Sequence, residues 1–176
     1  MTFAFGHLIG AWIPGKIYEK VTNVKLHNFT WLFLLIGGIL PDADFILDWT
    51  IGLESHRTFT HSLFFLILTP LLVYLFCKYL NKTYHSHAKE FALALATGIF
   101  MHLILDMATS YNGIPLFWPN LTHLSFYHIG IYDPNTPSFL HSSYDKIQGA
   151  LKIAILDMGL GTAWILYLFY NKEIKP

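Results

Sequence analysis

Residues Ser62–Leu80 read S-L-F-F-L-I-L-T-P-L-L-V-Y-L-F-C-K-Y-L, with no charged side chain before Lys78. At about 1.5 Å of rise per residue, such a run crosses the roughly 30 Å hydrocarbon core of a bilayer as a helix. Pro70 is expected to kink that helix rather than end it, because the freed backbone groups can be satisfied nearby. Working outward, Phe91–Met107 forms a second candidate span, opened by Lys89-Glu90 and interrupted only by His102 and Asp106. Ala150–Tyr170 forms a third, with Asp157 inside it. Phe29–Leu47 is a fourth and weaker one, broken by Pro41, Asp42 and Asp44, and reads as a helix from Phe29 to Leu40 that ends near the interface. Phe3–Ile13 is apolar but too short to span, and is expected to stop before Pro14-Gly15. The expected fold is therefore all-α: a multipass membrane helical bundle of about four spans plus a short N-terminal helix, in a single domain over residues 1–176.

Composition agrees with a membrane setting. Charged residues are 12% of the chain, about half of what a soluble domain carries. Net charge is zero, so the basic footprint of a nucleic-acid binder is missing. The single cysteine, Cys77, cannot form an internal disulfide. The first residues lack the basic flank and small-residue cleavage site of a signal peptide. The long Thr109–Gly149 connection carries Tyr111, Trp118, Phe126, Tyr127 and Tyr132, rings that suit the headgroup zone. An aromatic cap loop on the bilayer is expected there.

Basic residues set an expected orientation. Lys16, Lys20 and Lys25 precede the first span, Lys78, Lys82 and Lys89 lie between the second and third, and Lys172 and Lys175 follow the last. The positive-inside rule then puts both termini in the cytoplasm. Asp42, Asp44, His56, His61, His102 and Asp106 fall together at the outer side, within one to two helical turns of a common depth.

Those residues are of the types that bind metal. His102 and Asp106 are four apart and share a helix face; the plain reading is a buried His–Asp hydrogen bond, the sharper one a chelating pair. Ionisable groups inside spans are costly and usually functional. Asp42 and Asp44 follow a helix-ending proline, where aspartate is common in turns, yet they also make a compact acidic pair. His56 and His61 flank Arg57, Thr58 and Thr60 before a helix start, where Thr60 or Ser62 can serve as a cap. Arg57 offers a planar fork to phosphate or carboxylate. Asp157 lies near the depth of His102 and is positioned to orient a ligating histidine. His7, alone on an apolar stretch, reads more simply as a core histidine. His123, His128, His141, Asp133 and Asp145 lie in the cap loop with nothing to fix their geometry, and His85 and His87 read as solvated surface. A mixed His/Asp set without thiolate suits zinc, manganese or magnesium.

His7, then Gly37-Gly-Ile-Leu-Pro-Asp-Ala-Asp44, then His56-Arg-Thr-Phe-Thr-His-Ser62, then His102-x-x-x-Asp106 resembles the YdjM-type family. Its members are membrane-bound and described as metal-dependent hydrolases, or as LexA-binding inner-membrane hydrolases. The resemblance runs from His7 to about Pro119. The family is distantly similar to zinc-dependent phospholipases C and single-strand nucleases. What it implies is a metal set of His7, Asp42 or Asp44, His61 or His56, His102 and Asp106.

The expected function is hydrolysis of a phosphoester or lipid-like substrate by a metal-activated water at the outer interface. One or two divalent ions would be held, zinc foremost. His56 is a ligand or general base, and Arg57 a phosphate contact. Membrane lipids and an amphiphilic substrate are the expected partners. The alternatives are a non-catalytic protein with a structural metal site, and a transporter or proton relay through His102, Asp106 and Asp157.

Overall fold

The computed structural model describes residues 4–52, 57–80, 83–110, 113–126 and 143–173. Six helices carry them: α1 (Ala4–Thr22), α2 (Asn28–Ile39), α3 (Asp44–Ile51), α4 (Leu63–Leu75), α5 (Ala88–Thr109) and α6 (Ser143–Tyr170). No strand occurs among the described residues; one isolated antiparallel bridge pairs Ile114 with Leu124. The segments Leu63–Leu80, His85–Thr109 and Leu151–Tyr170 are long and apolar enough to cross a membrane. The weak fourth candidate, α2, is a helix of 12 residues, which reaches only about 18 Å.

Local chemistry sets the boundaries. His27 caps α2 by accepting from the Phe29 N–H through Nδ1 at 3.2 Å. Pro41 closes α2 into a 3-10 turn, Leu40–Ala43, which leads directly into α3. α3 was not anticipated; it ends at Gly52, whose φ of 65° is the left-handed cap that glycine adopts without strain. Ser62 caps α4, accepting from Phe65 N–H at 3.2 Å. Pro70 lies inside α4, and the chain continues beyond it into a π-helical turn over Phe76–Leu80.

The first helix departs from expectation. α1 does not stop at Ile13 but runs through Pro14 to Thr22. Its buried residues His7, Gly10, Ala11, Gly15 and Glu19 form one stripe, and tertiary packing along that stripe outweighs the hydrogen bond that a mid-helix proline removes. Phe5 and Gly6 lie beside Asp157, and Lys16 pairs with Glu173 at 2.6 Å. α1 therefore runs alongside α6, with Ala4 and Tyr170 towards opposite ends of the bundle.

α1, α2 and α5 form a close-packed trio made possible by small residues. A Cβ on Gly98 of α5 would lie 2.8 Å from the Gly37 Cα, and one on Gly38 would lie 2.8 Å from the Ala11 Cβ. Without an aqueous hydrophobic drive, membrane helices associate through such close backbone approach. Around it, Phe91, Leu95, Ile99, Leu103 and Ile114 are buried. α4 and α6 are peripheral and present Phe64, Ile67, Ile155 and Leu156 outward, as lipid-facing helices do.

Candidate metal centre

Each polar residue of the centre arrives from a different turn of this trio and its flanks. α1 supplies His7, the 3-10 turn after α2 supplies Asp42, and the start of α3 supplies Asp44. The 3-10 turn Phe59–His61 supplies His61, and α5 supplies His102 and Asp106. His7, His61 and His102 are fully buried, and the Asp106 side chain is 2% exposed.

Asp42, His61, His102 and Asp106 converge so that one ligand atom of each lies within 4.8 Å of the others. His61 Nε2 is 3.3 Å from Asp42 Oδ1, 3.4 Å from Asp106 Oδ2 and 3.3 Å from His102 Nε2. His102 Nε2 is 3.6 Å from Asp42 Oδ1 and 3.9 Å from Asp106 Oδ2. An ion with tetrahedral bonds of about 2.0–2.1 Å requires ligand atoms about 3.3–3.4 Å apart. Five of the six ligand pairs lie at 3.3–3.9 Å, so the group could hold a divalent ion once its ligands draw together.

The ring tautomers are set for that role. His102 Nδ1 lies 2.8 Å from the Gly38 carbonyl, which can only accept, so Nδ1 carries the proton and Nε2 presents a lone pair. Thr60 Oγ1 donates to Asp44 Oδ2 at 2.6 Å and lies 3.0 Å from His61 Nδ1. A hydroxyl has one proton, so His61 Nδ1–H donates to Thr60, and Nε2 again faces the centre. Asp44 also accepts from the Arg57 N–H at 3.2 Å and lies 3.7 Å from His61 Nδ1. Partners of this kind fix the orientation of a ligating imidazole and raise its basicity. Asp42 and Asp44, equivalent in the sequence, thus differ: Asp42 faces the centre and Asp44 lies behind His61.

Electrostatics follow the geometry. Burial alone would depress the His61 pKa, but its hydrogen bonds to Asp106 and Asp42 outweigh burial and hold it above the ordinary histidine value. Burial alone would raise Asp42, yet the hydrogen bond from His61 and the neighbouring His102 and His7 hold it below the usual carboxylate range.

His7 stacks on His102 with ring centroids 3.8 Å apart. Its Nε2 lies 3.5 Å from Asp106 Oδ1 and 3.9 Å from Asp42 Oδ2. These are the carboxylate oxygens opposite the ones that face His61. Both aspartates thus present one oxygen to the His61/His102 pair and the other to His7.

Arg57 has a φ of 61°, uncommon for a residue with a side chain. Its Nη1 donates to Ser110 Oγ at 2.7 Å and its Nη2 to Asp106 Oδ2 at 3.4 Å. Its buried Nε has no hydrogen-bond partner among the described residues. Ser110, the residue that anchors the guanidinium, carried no sequence signal beyond its place just after α5.

The remaining candidates lie elsewhere. Asp157 does not reach a histidine ring: Oδ1 and Oδ2 accept from the Gly6 and Phe5 N–H groups at 2.7 and 3.1 Å, capping α1 immediately before His7. His123 is exposed. His56, His128, His141, Asp133 and the aromatics Tyr111, Tyr127 and Tyr132 lie outside the described residues, as does the Asp145 side chain.

No curated protein matches this chain, and no solved structure does. A family profile described as YdjM inner membrane protein matches residues 1–174. With that match over nearly its whole length and three helices able to cross a membrane, the chain belongs to the YdjM inner membrane protein family.

Proposed function

We propose that the protein is an integral membrane metal-dependent hydrolase acting on a phosphoester or lipid-like substrate. The observation that carries this reading is the pair of imidazole Nε2 atoms 3.3 Å apart. Each has its Nδ1 committed to another partner, and each stands beside a carboxylate. Zinc suits the donor set, with manganese or magnesium as alternatives. A divalent ion there would supply a Lewis acid and a water of lowered pKa. His7, with the second oxygens of Asp42 and Asp106, supplies ligands for a second ion.

Two features favour catalysis over a purely structural site. The Asp42 side chain is 28% exposed while its three partners are buried, so solvent reaches the group from that side. Arg57 sits against Asp106, where its guanidinium would hold an anionic substrate oxygen. His56 is the proposed general base or a further ligand, and the site is proposed to face outward. A relay through Asp157 gains less support, because that carboxylate is engaged by the α1 backbone.

Metal content of the detergent-purified protein, followed by a screen of phosphoesters and phospholipids, tests this. One or two equivalents of metal and hydrolysis abolished by Asp106→Asn are expected. A protein that takes up neither zinc nor manganese overturns the reading. Metal without any hydrolysis leaves the structural site as the better account.

A further inference from the structure

At the end of the trio away from the metal centre, a cavity of about 610 Å³ opens between α1 and α5 over the start of α2. That volume lies within the range of small-molecule and lipid sites. Its walls are mainly apolar: Gly15 from α1, Leu34 from α2, and Ala94 and Thr97 from α5, with the Thr97 hydroxyl donating to the Leu93 carbonyl at 2.8 Å. α5 belongs to a segment long and apolar enough to cross a membrane, and Leu93, which lines the cavity, is 68% exposed. With α5 spanning the bilayer, the cavity opens sideways towards lipid.

Its mouth is polar and basic. Lys25, His27 and His87 line it; the Lys25 ammonium donates to Glu19 Oε2 at 3.4 Å, but its side chain is 85% exposed and keeps further protons for an anion. His27 Nδ1 accepts from the Phe29 N–H, so the ring carries its proton on Nε2 and keeps that donor for another partner. His27 stacks on His87 with centroids 5.3 Å apart, which joins the two rings into one rim. Glu90 also lies at the rim, but its carboxylate is engaged by the Thr30 hydroxyl and by His87 Nδ1. Lys16, Lys20, Lys25, Lys89 and Lys172 lie at this end of the bundle against Glu19, Glu90 and Glu173, which pairs with Lys16 at 2.6 Å. The surplus is positive.

We propose that this groove binds an anionic phospholipid. One acyl chain lies against Gly15, Leu34, Ala94 and Thr97, and the headgroup phosphate accepts from Lys25 and His27. An apolar slot open to the bilayer, with cations only at its mouth, matches a molecule with an apolar tail and an anionic head; basic pockets between membrane helices recognise headgroups in this way. The site is separate from the metal centre and does not depend on it.

The test uses the delipidated full-length protein, exposed to phosphatidylcholine vesicles with and without phosphatidylglycerol, with retained lipid counted by native mass spectrometry. Wild type should retain one phosphatidylglycerol in preference to phosphatidylcholine. The double variant Lys25→Gln/His27→Gln should lose that preference, by about fivefold for the lysine charge alone. Thr97→Phe, which fills the slot, should retain neither lipid while its metal content stays at the wild-type level. Equal retention of both lipids by wild type overturns the proposal, as does undiminished phosphatidylglycerol on Thr97→Phe.

Discussion

His61 and His102 point their Nε2 atoms at each other across 3.3 Å. His102 has given its other nitrogen to the Gly38 carbonyl, and His61 has given its own to Thr60. Two lone pairs at that distance repel unless a cation lies between them. The centre can therefore hold a positive charge, either a metal ion or a proton on His61.

Replacing His102 removes both roles. His102→Ala should abolish metal uptake and leave the Gly38 carbonyl without its partner, at a cost of about 1–3 kcal/mol. Metal analysis beside a thermal melt, with and without chelator, separates the two effects: the variant should melt lower and lose its response to chelator. Full metal occupancy in this variant would remove His102 from the ligand set.

The Asp44–Thr60–His61 chain predicts a distinct phenotype. Thr60→Val keeps the side-chain shape but cuts the link, and metal affinity should fall about 10- to 100-fold. Thr60→Ser should restore most of it. Competition against a fluorescent zinc chelator measures both, and equal affinity in Thr60→Val would show that the chain orients nothing.

Protons and metal compete for the same atom. The His61 pKa is raised above its ordinary value. In chelator-treated protein, the stability from the His61 proton is therefore fully present below the unfolded-state value of about 6.5. It is lost as pH rises through the higher folded-state value. Asp42, held low, acts the other way, losing its contribution only as pH falls through its depressed folded-state value. The melting temperature of metal-free protein should thus fall on the alkaline side of pH 6.5, and that of metal-loaded protein should not. Metal release should begin at a higher pH than an unperturbed histidine would give. Parallel melting profiles for the two forms would contradict this.

Asp157 links the last helix to the first. Asp157→Ala should remove the cap from Phe5 and Gly6 and cost about 1–2 kcal/mol. Because His7 follows directly after Gly6, the variant should lose any second metal equivalent before the first. Titration calorimetry resolves the two, and equal loss of both would place the effect in global folding.

Two glycines should respond oppositely. A Cβ on Gly98 would press into the Gly37 backbone, while one on Gly159 meets nothing within 4 Å. Gly98→Ala should destabilise by about 1–3 kcal/mol and disturb the metal centre one turn away. Gly159→Ala should stabilise the helix by about 0.5–1 kcal/mol. Denaturation in mixed micelles reads both.

Much of this was legible in the chain. Apolar length with few charges located the three segments able to cross, because the bilayer imposes a length that a sequence either has or lacks. The four-residue spacing placed His102 and Asp106 on one face, because helix geometry is local. Ligand types at the ends of separate apolar runs pointed to one depth.

Tertiary packing decided the rest. Whether α1 ends at Pro14 depends on what its stripe meets, and it meets α2 and α5 closely enough to continue and to deliver His7 beside Asp106. Which of Asp42 and Asp44 faces the centre depends on how the 3-10 turn around Pro41 sets against His61, since spacing of two residues fixes no common direction in a turn. The tautomers rest on Gly38, a backbone carbonyl with no sequence signature, and on Thr60, which read as a helix cap. The role of Asp157 rests on α1 lying alongside α6, a contact between residues more than 150 positions apart. Local periodicity is written in the chain; the partner that each buried polar atom finds is a property of the assembled bundle.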